Sequence, residues 1–403
     1  MKIRRFFLIF EIQCCLKNYF IHQMTRKTLY IFALISILAN FISCKNDIPP
    51  AKPINKNEII DSAITVFEKN LLKQEIDSVF KKYQFNGSVA VFKDSIELYR
   101  KEHGFLDFKT KTKIDRNSVF AIASVSKQFT AVLVLLQMEQ GKIHLDDKVS
   151  KYLNDFTLKE YENITIHQLL NHTSGLNTFG GKLMFKSGSD FYYSNDGFNA
   201  LGKIVEKVSG KTYDDNIMEL FKKVGMLHSS TGDIFKGSNF AGAHLGNGKN
   251  AEKIENMPKR LGSKDIGIPA GGLLSTIDDL HIWNNALYSG KILKPETLKQ
   301  FTSKTSQRNH AIFGKMGYGY GIMTNLGKPI SFFHSGYIKG SPSLNIYYPE
   351  TKTSVIILSN IADEQSGKAL IFKPHKEVKK IADMMENTIH EMKADTLASQ
   401  LKI

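Results

Sequence analysis

Apolar and polar positions divide the chain into stretches of different period. Between residues 71 and 83, Leu72, Ile76, Val79 and Phe80 recur at helical spacing. Two strand-like runs follow, Gly87–Lys93 and Ile96–Glu102, joined by Asp94-Ser95 as a hairpin. From about Ser124 to Gln140 the polar face disappears. Phe129, Val132, Leu133, Leu135 and Leu136 crowd one stretch that Gly141 stops, so a buried helix is expected there. Residues 142–265 carry helical patterns and loops with few convincing strands. Strand signals return at 316–323, 329–334, 343–348 and 353–359, the last two flanking a turn at Pro349-Glu350-Thr351-Lys352. Val378, Ile381, Met385, Ile389 and Met392 then share one face of a helix over 376–393.

Connections this short join antiparallel neighbours. The expected fold is α/β in the α+β sense: one antiparallel sheet of about five or more strands, drawn from both ends of the chain and covered by helices. A mostly helical insertion is expected at about 142–265, and residues 376–403 are expected to close over the sheet as a C-terminal helix.

The first 60 residues follow other rules. Met24-Thr-Arg-Lys-Thr, an apolar run from Leu29 to Ile42 and then Ser43-Cys44 describe a secretory signal: a basic start, and an apolar stretch too short for a comfortable membrane span. Cysteine at the break resembles a bacterial lipoprotein cleavage box. That resemblance implies lipidation of Cys44, attachment to a membrane through the lipid, and an exported protein of the periplasm or outer membrane. Residues 1–23 read as an upstream extension before Met24. Residues 45–60, with Pro49, Pro50 and Pro53, read as a tether. The chain's three cysteines are Cys14, Cys15 and Cys44, so nothing after Cys44 can form a disulfide or a cysteine-based metal site.

A net charge of +15 raises the question of nucleic acid, but Lys73, Lys93, Lys151, Lys222 and Lys291 are spread along the chain and not gathered on one stripe. They predict a solvated surface and no nucleic-acid partner. No His-Glu-x-x-His or clustered ligand spacing occurs, so no metal is expected. Gly317, Gly319 and Gly321 lack the strand–turn–helix setting of a dinucleotide site, and no cofactor is expected.

The chemistry concentrates at Ser124-Val125-Ser126-Lys127. A hydroxyl is a poor nucleophile until a base takes its proton, and an amine one helical turn away can do so. The same spacing at Ser78-Val79-Phe80-Lys81 lies on an ordinary amphipathic helix. Lys127, by contrast, opens a helix hydrophobic enough to be buried, where an amine is costly unless partnered or neutral. Two further elements follow in order: Tyr193-Ser194-Asn195 within Phe191–Gly197, and His334-Ser335-Gly336 after Ile330-Ser-Phe-Phe.

In these three elements the chain resembles the serine β-lactamase and penicillin-binding protein superfamily, in its class C and esterase or D-aminopeptidase branch. Supporting stretches at Gly141–Asp147, Leu169–Leu176, Val224–Met226 and Pro269–Thr276 extend the likeness across about 87–360. The resemblance implies a β-lactamase/transpeptidase-like catalytic domain over 61–375 and an acyl-enzyme on Ser124. It implies a proton relay through Lys127 and Tyr193, with Asn195 holding Lys127 and a substrate oxygen. His334 enters as a catalytic-site residue and, with Lys127, as a cation near the phenol. Backbone N–H groups of Ser124 and Tyr337 form the implied oxyanion hole, and Ser335 and Gly336 lie along the substrate. Tyr152-Leu-Asn154, Tyr161-Glu-Asn163 and Lys186-Ser-Gly188 repeat parts of these patterns out of place, and His172 reads as a structural loop histidine.

Most β-lactamases have lysine where this chain has His334. A largely neutral imidazole attracts a substrate carboxylate less, so ester or D-amino-acid amide hydrolysis is expected before β-lactam hydrolysis or D-Ala-D-Ala carboxypeptidase activity. A non-catalytic relative that binds peptidoglycan is the remaining reading. The short interval between Leu176 and Tyr193 predicts an open cleft.

Overall fold

The computed structural model describes residues 56–262, 267–365 and 367–400; Cys44, the apolar run before it and residues 1–23 lie outside them. The elements that position the site belong to one unit, Asp61–Ile403. Eight strands form the main sheet: β1 (Gly87–Lys93), β2 (Ile96–His103), β3 (Ser306–His310), β4 (Gly314–Tyr318), β5 (Met323–Thr324), β6 (Phe332–Ile338), β7 (Ser341–Tyr348) and β8 (Thr353–Ser359). Their order across the sheet is β3-β4-β5-β6-β7-β8-β1-β2, and every pairing is antiparallel. β1 meets β8 from Gly87↔Ser359 to Lys93↔Thr353. The two ends of the chain are therefore joined in mid-sheet, as the strand pattern predicted. β7 and β8 are buried along their whole length because helices cover both faces, and so they read as continuous runs with no alternation.

Six longer helices surround the sheet: α1 (Lys56–Tyr83), α2 (Ser126–Glu139), α3 (Asn195–Ser209), α4 (Tyr213–Val224), α5 (Ile277–Tyr288) and α6 (Lys373–Gln400). α3 and α4 are delimited locally. Ser194 and Thr212 cap their first turns through Gly197 N and Asp215 N, and Gly210 and Gly225 end them in the left-handed conformation. α2 is buried almost throughout, which explains its missing polar face. Phe129 of α2 stacks on Trp283 of α5 with ring centroids 4.0 Å apart, and the indole N–H donates to Gln128 Oε1 at 2.8 Å. α6 packs on β7 and β8 and buries Val378, Ala382, Met385 and Ile389. Val378, Met385 and Ile389 each contribute about 1.5–3 kcal/mol by leaving water.

Four details depart from the sequence pattern. α1 starts at Lys56, so the last residues of the expected 45–60 tether are helical. The strand expected over 316–323 is two strands, because Gly319–Gly321 turn the chain between β4 and β5. Gly321 has φ +68, and a Cβ there would sit 2.7 Å from the Lys127 carbonyl oxygen, so glycine lets this turn press on α2. The insertion is not purely helical: Ser230–Thr231, His244–Gly246 and Ala251–Lys253 are short strands. β3 was not anticipated at all, since an edge strand of Ser-Gln-Arg-Asn-His has no apolar face to betray it.

Candidate active site

Ser124 sits in a 3-10 turn, Ala123–Val125, that leads into α2, whereas the sequence had placed it at the start of the helix itself. Ala123 holds φ +46, a left-handed conformation that costs a non-glycine residue about 1–3 kcal/mol. The surroundings sustain it: Ile122 N–H bonds to Leu273 O at 3.1 Å, and Ser343 Oγ donates to Ile122 O at 2.7 Å. Ser124 is left half-buried at the mouth of the turn.

Lys127, one turn later, is fully buried. Its Nζ lies 2.8 Å from Asn195 Oδ1, 2.7 Å from Ala270 O and 3.2 Å from Ser124 Oγ. Burial pulls its pKa below the usual lysine value, opposed by Tyr193 and assisted by the charge of Arg308. The three contacts are not equivalent. The carboxamide and carbonyl oxygens can only accept, so they take two of the amine's protons. Its remaining position faces groups that can also donate, the Ser124 hydroxyl at 3.2 Å and the Tyr193 phenol, which is hydrogen-bonded to it as well. From there the amine can act as a base toward Ser124.

Tyr193 and Asn195 are set by a cap. Ser194, between them, accepts from Gly197 N at 2.9 Å and opens α3. Asn195 is thereby brought to Lys127, and the Tyr193 ring centroid comes to 4.8 Å from Lys127 Nζ. The four groups expected to act together do share one place.

Strand β6 closes on this place through Gly336. A Cβ there would fall 2.2 Å from Ile122 O, 2.4 Å from Ser343 Oγ and 3.0 Å from the Ser124 amide nitrogen. Only glycine lets the strand lie against the nucleophile's turn, alongside the backbone expected to form the oxyanion hole. Ser335, just before it, accepts a bond from His310 Nε2 at 3.3 Å. His310 Nδ1 already accepts from Ile312 N at 3.1 Å, so Nε2 carries that ring's proton. The Ser335 hydroxyl keeps its own proton for an acceptor in the cleft.

His334 requires a correction. Its ring is fully buried, 6.2 Å from the Tyr193 ring centroid to centroid, and both its nitrogens are engaged. Ser194 N–H donates to His172 Nδ1 at 3.1 Å, which puts the His172 proton on Nε2, 3.1 Å from the Tyr318 hydroxyl. Tyr318 then donates to His334 Nε2 at 3.0 Å, and His334 Nδ1–H donates to Ser335 O at 2.7 Å. The chain of donors closes with both imidazoles neutral. Burial, and the charges of Lys127 and Arg308, push both rings well below the ordinary histidine range. His334 therefore braces β6 and is not the cation expected beside the phenol. His172 is a hydrogen-bonded loop residue, as its sequence context suggested.

Two residues of the site were not singled out from sequence. Tyr318 links the two imidazoles, and Arg308 of β3 lies with its guanidinium carbon 4.2 Å from the Tyr193 ring centroid. In the sequence the tyrosines and glycines around 317–321 carry no catalytic pattern, and their setting excludes a dinucleotide loop. Arg308 stood in a polar stretch with no pattern at all. The competing motif copies fall elsewhere. Tyr161 is core and donates to Gly181 O, Tyr152 bonds Asp147, and Ser78 and Lys81 are exposed on α1. Among the described residues no group of three or more His, Cys, Asp or Glu side chains is disposed to hold a metal ion.

The beta-lactamase family model matches residues 72–373. Penicillin-binding protein 4* of Bacillus subtilis (strain 168) is 26% identical over 344 residues, covering 76% of this chain and 75% of that protein. Protein flp of Staphylococcus aureus (strain NCTC 8325 / PS 47) is 24% identical over 330 residues, covering 73% of this chain but 64% of that protein, so the chain spans less than two thirds of that relative's length. Among solved structures, D-amino acid amidase from Ochrobactrum anthropi SV3 superposes with a TM-score of 0.67 at 20% identity, covering 78% of this chain and 98% of that one. At that identity the likeness is one of fold.

Proposed function

The chain belongs to the beta-lactamase family and is a serine hydrolase, and from that premise we propose that it cleaves esters, or amides at a D-amino acid, through an acyl-enzyme on Ser124. The observation that carries this reading is the convergence of Ser124, Tyr193 and Asn195 on Lys127 Nζ, with Ser124 Oγ at 3.2 Å.

In the forward step the Lys127 amine takes the Ser124 proton as Oγ attacks the carbonyl carbon. The oxyanion draws N–H bonds from the Ser124 and Tyr337 backbones, groups fixed before charge develops. Tyr193 passes a proton to the leaving alcohol or amine as the carbonyl–leaving-group bond breaks. Water then attacks the acyl carbon and gives a proton to the Tyr193 phenolate, the Lys127 ammonium returns its proton to Ser124 Oγ as the acyl–Oγ bond breaks, and the carboxylic acid product leaves. Asn195 holds Lys127 by one side and a substrate oxygen by the other, while Ser335 and Gly336 line the substrate.

A neutral His334 supports esters and D-amino-acid amides over β-lactams and D-Ala-D-Ala peptides, because the third motif carries no charge with which to draw a carboxylate. Ester, β-lactam and D-peptide substrates are the classes to compare, with peptidoglycan as the source of the D-peptides at the cell envelope.

A fluorophosphonate or a fluorescent penicillin is expected to label the protein, and Ser124→Ala is expected to abolish labelling. Labelling that persists in the alanine variant overturns the nucleophile. A wild-type protein that resists both reagents and hydrolyses none of p-nitrophenyl esters, D-amino-acid amides, nitrocefin or D-Ala-D-Ala peptides is a binding relative and not an enzyme.

A further inference from the structure

We propose that Arg308, on the polar edge strand β3, is the cation that keeps the Lys127–Tyr193 pair in its proton-accepting form, the part His334 does not fill. The inference rests on the reading of Ser124 as the acylated nucleophile and adds a positioning residue to it.

A phenol and an amine both hold their protons to about pH 10 in water. A relay built from them works near neutral pH only where the surroundings stabilise the phenolate left when Tyr193 protonates the leaving group. Burial eases proton loss from the amine, whose charged form it penalises. A phenolate is stabilised by positive charge beside it. Six titratable side chains face Tyr193 or its partner imidazoles: Lys127 from α2, His172 from the loop before α3, Tyr318 from β4, His334 from β6, and Arg308 and His310 from β3. His310 is no cation, since its Nδ1 accepts from Ile312 N. The donor chain fixes His172, Tyr318 and His334 as neutral. Lys127 cannot both accept the Ser124 proton and remain a cation. Arg308 remains, and a guanidinium does not lose its charge in a protein.

Its placement suits the task. The guanidinium stacks on the ring at 4.2 Å, where a cation is attracted by the π face and more strongly by that of a phenolate. Arg100 and Arg116 are tied into ion pairs with Glu97 and Asp278, whereas Arg308 enters no ion pair among the described residues, so its charge is not neutralised by a carboxylate. The same charge lowers the pKa of Lys127. The guanidinium thus meets the phenol at its ring face and the amine through its charge.

The test is the pH dependence of p-nitrophenyl acetate hydrolysis in wild type, Arg308→Gln and Arg308→Lys. A neutral ester removes any contact between Arg308 and a substrate carboxylate. In Arg308→Gln the acid limb of kcat/KM is expected to move up by about one pH unit, with kcat about tenfold lower near neutral pH and recovered in alkali, and with KM little changed. Added guanidinium ions should restore part of the loss, and Arg308→Lys should keep the limb near its wild-type position. An unmoved limb in Arg308→Gln overturns the proposal. So does a defect confined to KM and to substrates bearing a carboxylate, which assigns Arg308 to substrate recognition. If Arg308→Gln does not fold, the lysine variant decides: a lysine variant that folds with its limb displaced by as much as a unit overturns the proposal. Failure of wild type to be acylated at Ser124 is a separate result, read by the labelling experiment, and sinks the acyl-enzyme itself.

Discussion

Replacing Tyr318 with phenylalanine isolates the donor chain that makes His334 neutral. The substitution keeps the ring, which packs 5.0 Å from His172 and 5.9 Å from His334 by centroid, and deletes one oxygen. That oxygen accepts from His172 Nε2 and donates to His334 Nε2, at 3.1 and 3.0 Å. Its loss strands one donor and one acceptor, and both rings are fully buried, so water does not replace the missing partner. A stranded buried polar group costs about 1–3 kcal/mol, so the pair is expected to cost about 2–5 kcal/mol. An exposed tyrosine losing its hydroxyl changes stability by about 0.5 kcal/mol or less. Urea unfolding of wild type and Tyr318→Phe at neutral pH measures the difference directly. The variant is also expected to lose activity, because the imidazole freed from Tyr318 no longer braces the strand carrying Ser335 and Gly336. A stability change under about 0.5 kcal/mol refutes the wiring, and with it the reason for calling His334 neutral.

Two further outcomes follow from residues already described. Folding is expected to weaken with acid earlier than the carboxylates alone would require. Burial lowers His375 and His310 to about 3 and His281 to about 4, while the unfolded chain takes up protons on these rings below about pH 6.5. The unfolded state then binds more protons, so stability rises with pH between the folded and unfolded values and falls as pH drops through that window. The fully buried His375 alone costs about 1.4 kcal/mol per pH unit there. Urea midpoints that stay level from pH 7 to pH 5 contradict this. At the other end of the chain, metabolic labelling with a fatty-acid analogue is expected to mark the protein, and Cys44→Ser to remove the mark. An unlabelled, freely secreted product rejects the lipid anchor.

The sequence by itself determined the outline and the groups that meet at the candidate site. The spacing of Ser124 and Lys127 on a stretch without a polar face, the Tyr193-Ser194-Asn195 cap and the strand-like runs before and after the helical insertion are local patterns. Local patterns are what side-chain periodicity and capping chemistry record. What tertiary structure alone decided were relations between distant segments. The strain at Ala123 is held by contacts from Leu273 and Ser343. The protonation of His334 is fixed by a chain running through Tyr318 to His172 and Ser194, two stretches 146 residues apart at the His172–Tyr318 link. Arg308 reaches Tyr193 because a polar edge strand happens to pair beside β4, and an edge strand needs no apolar face to form. A neutral imidazole and a charged guanidinium have the same letters wherever they fold. Which of them supplies the field at the phenol depends on what each is packed against.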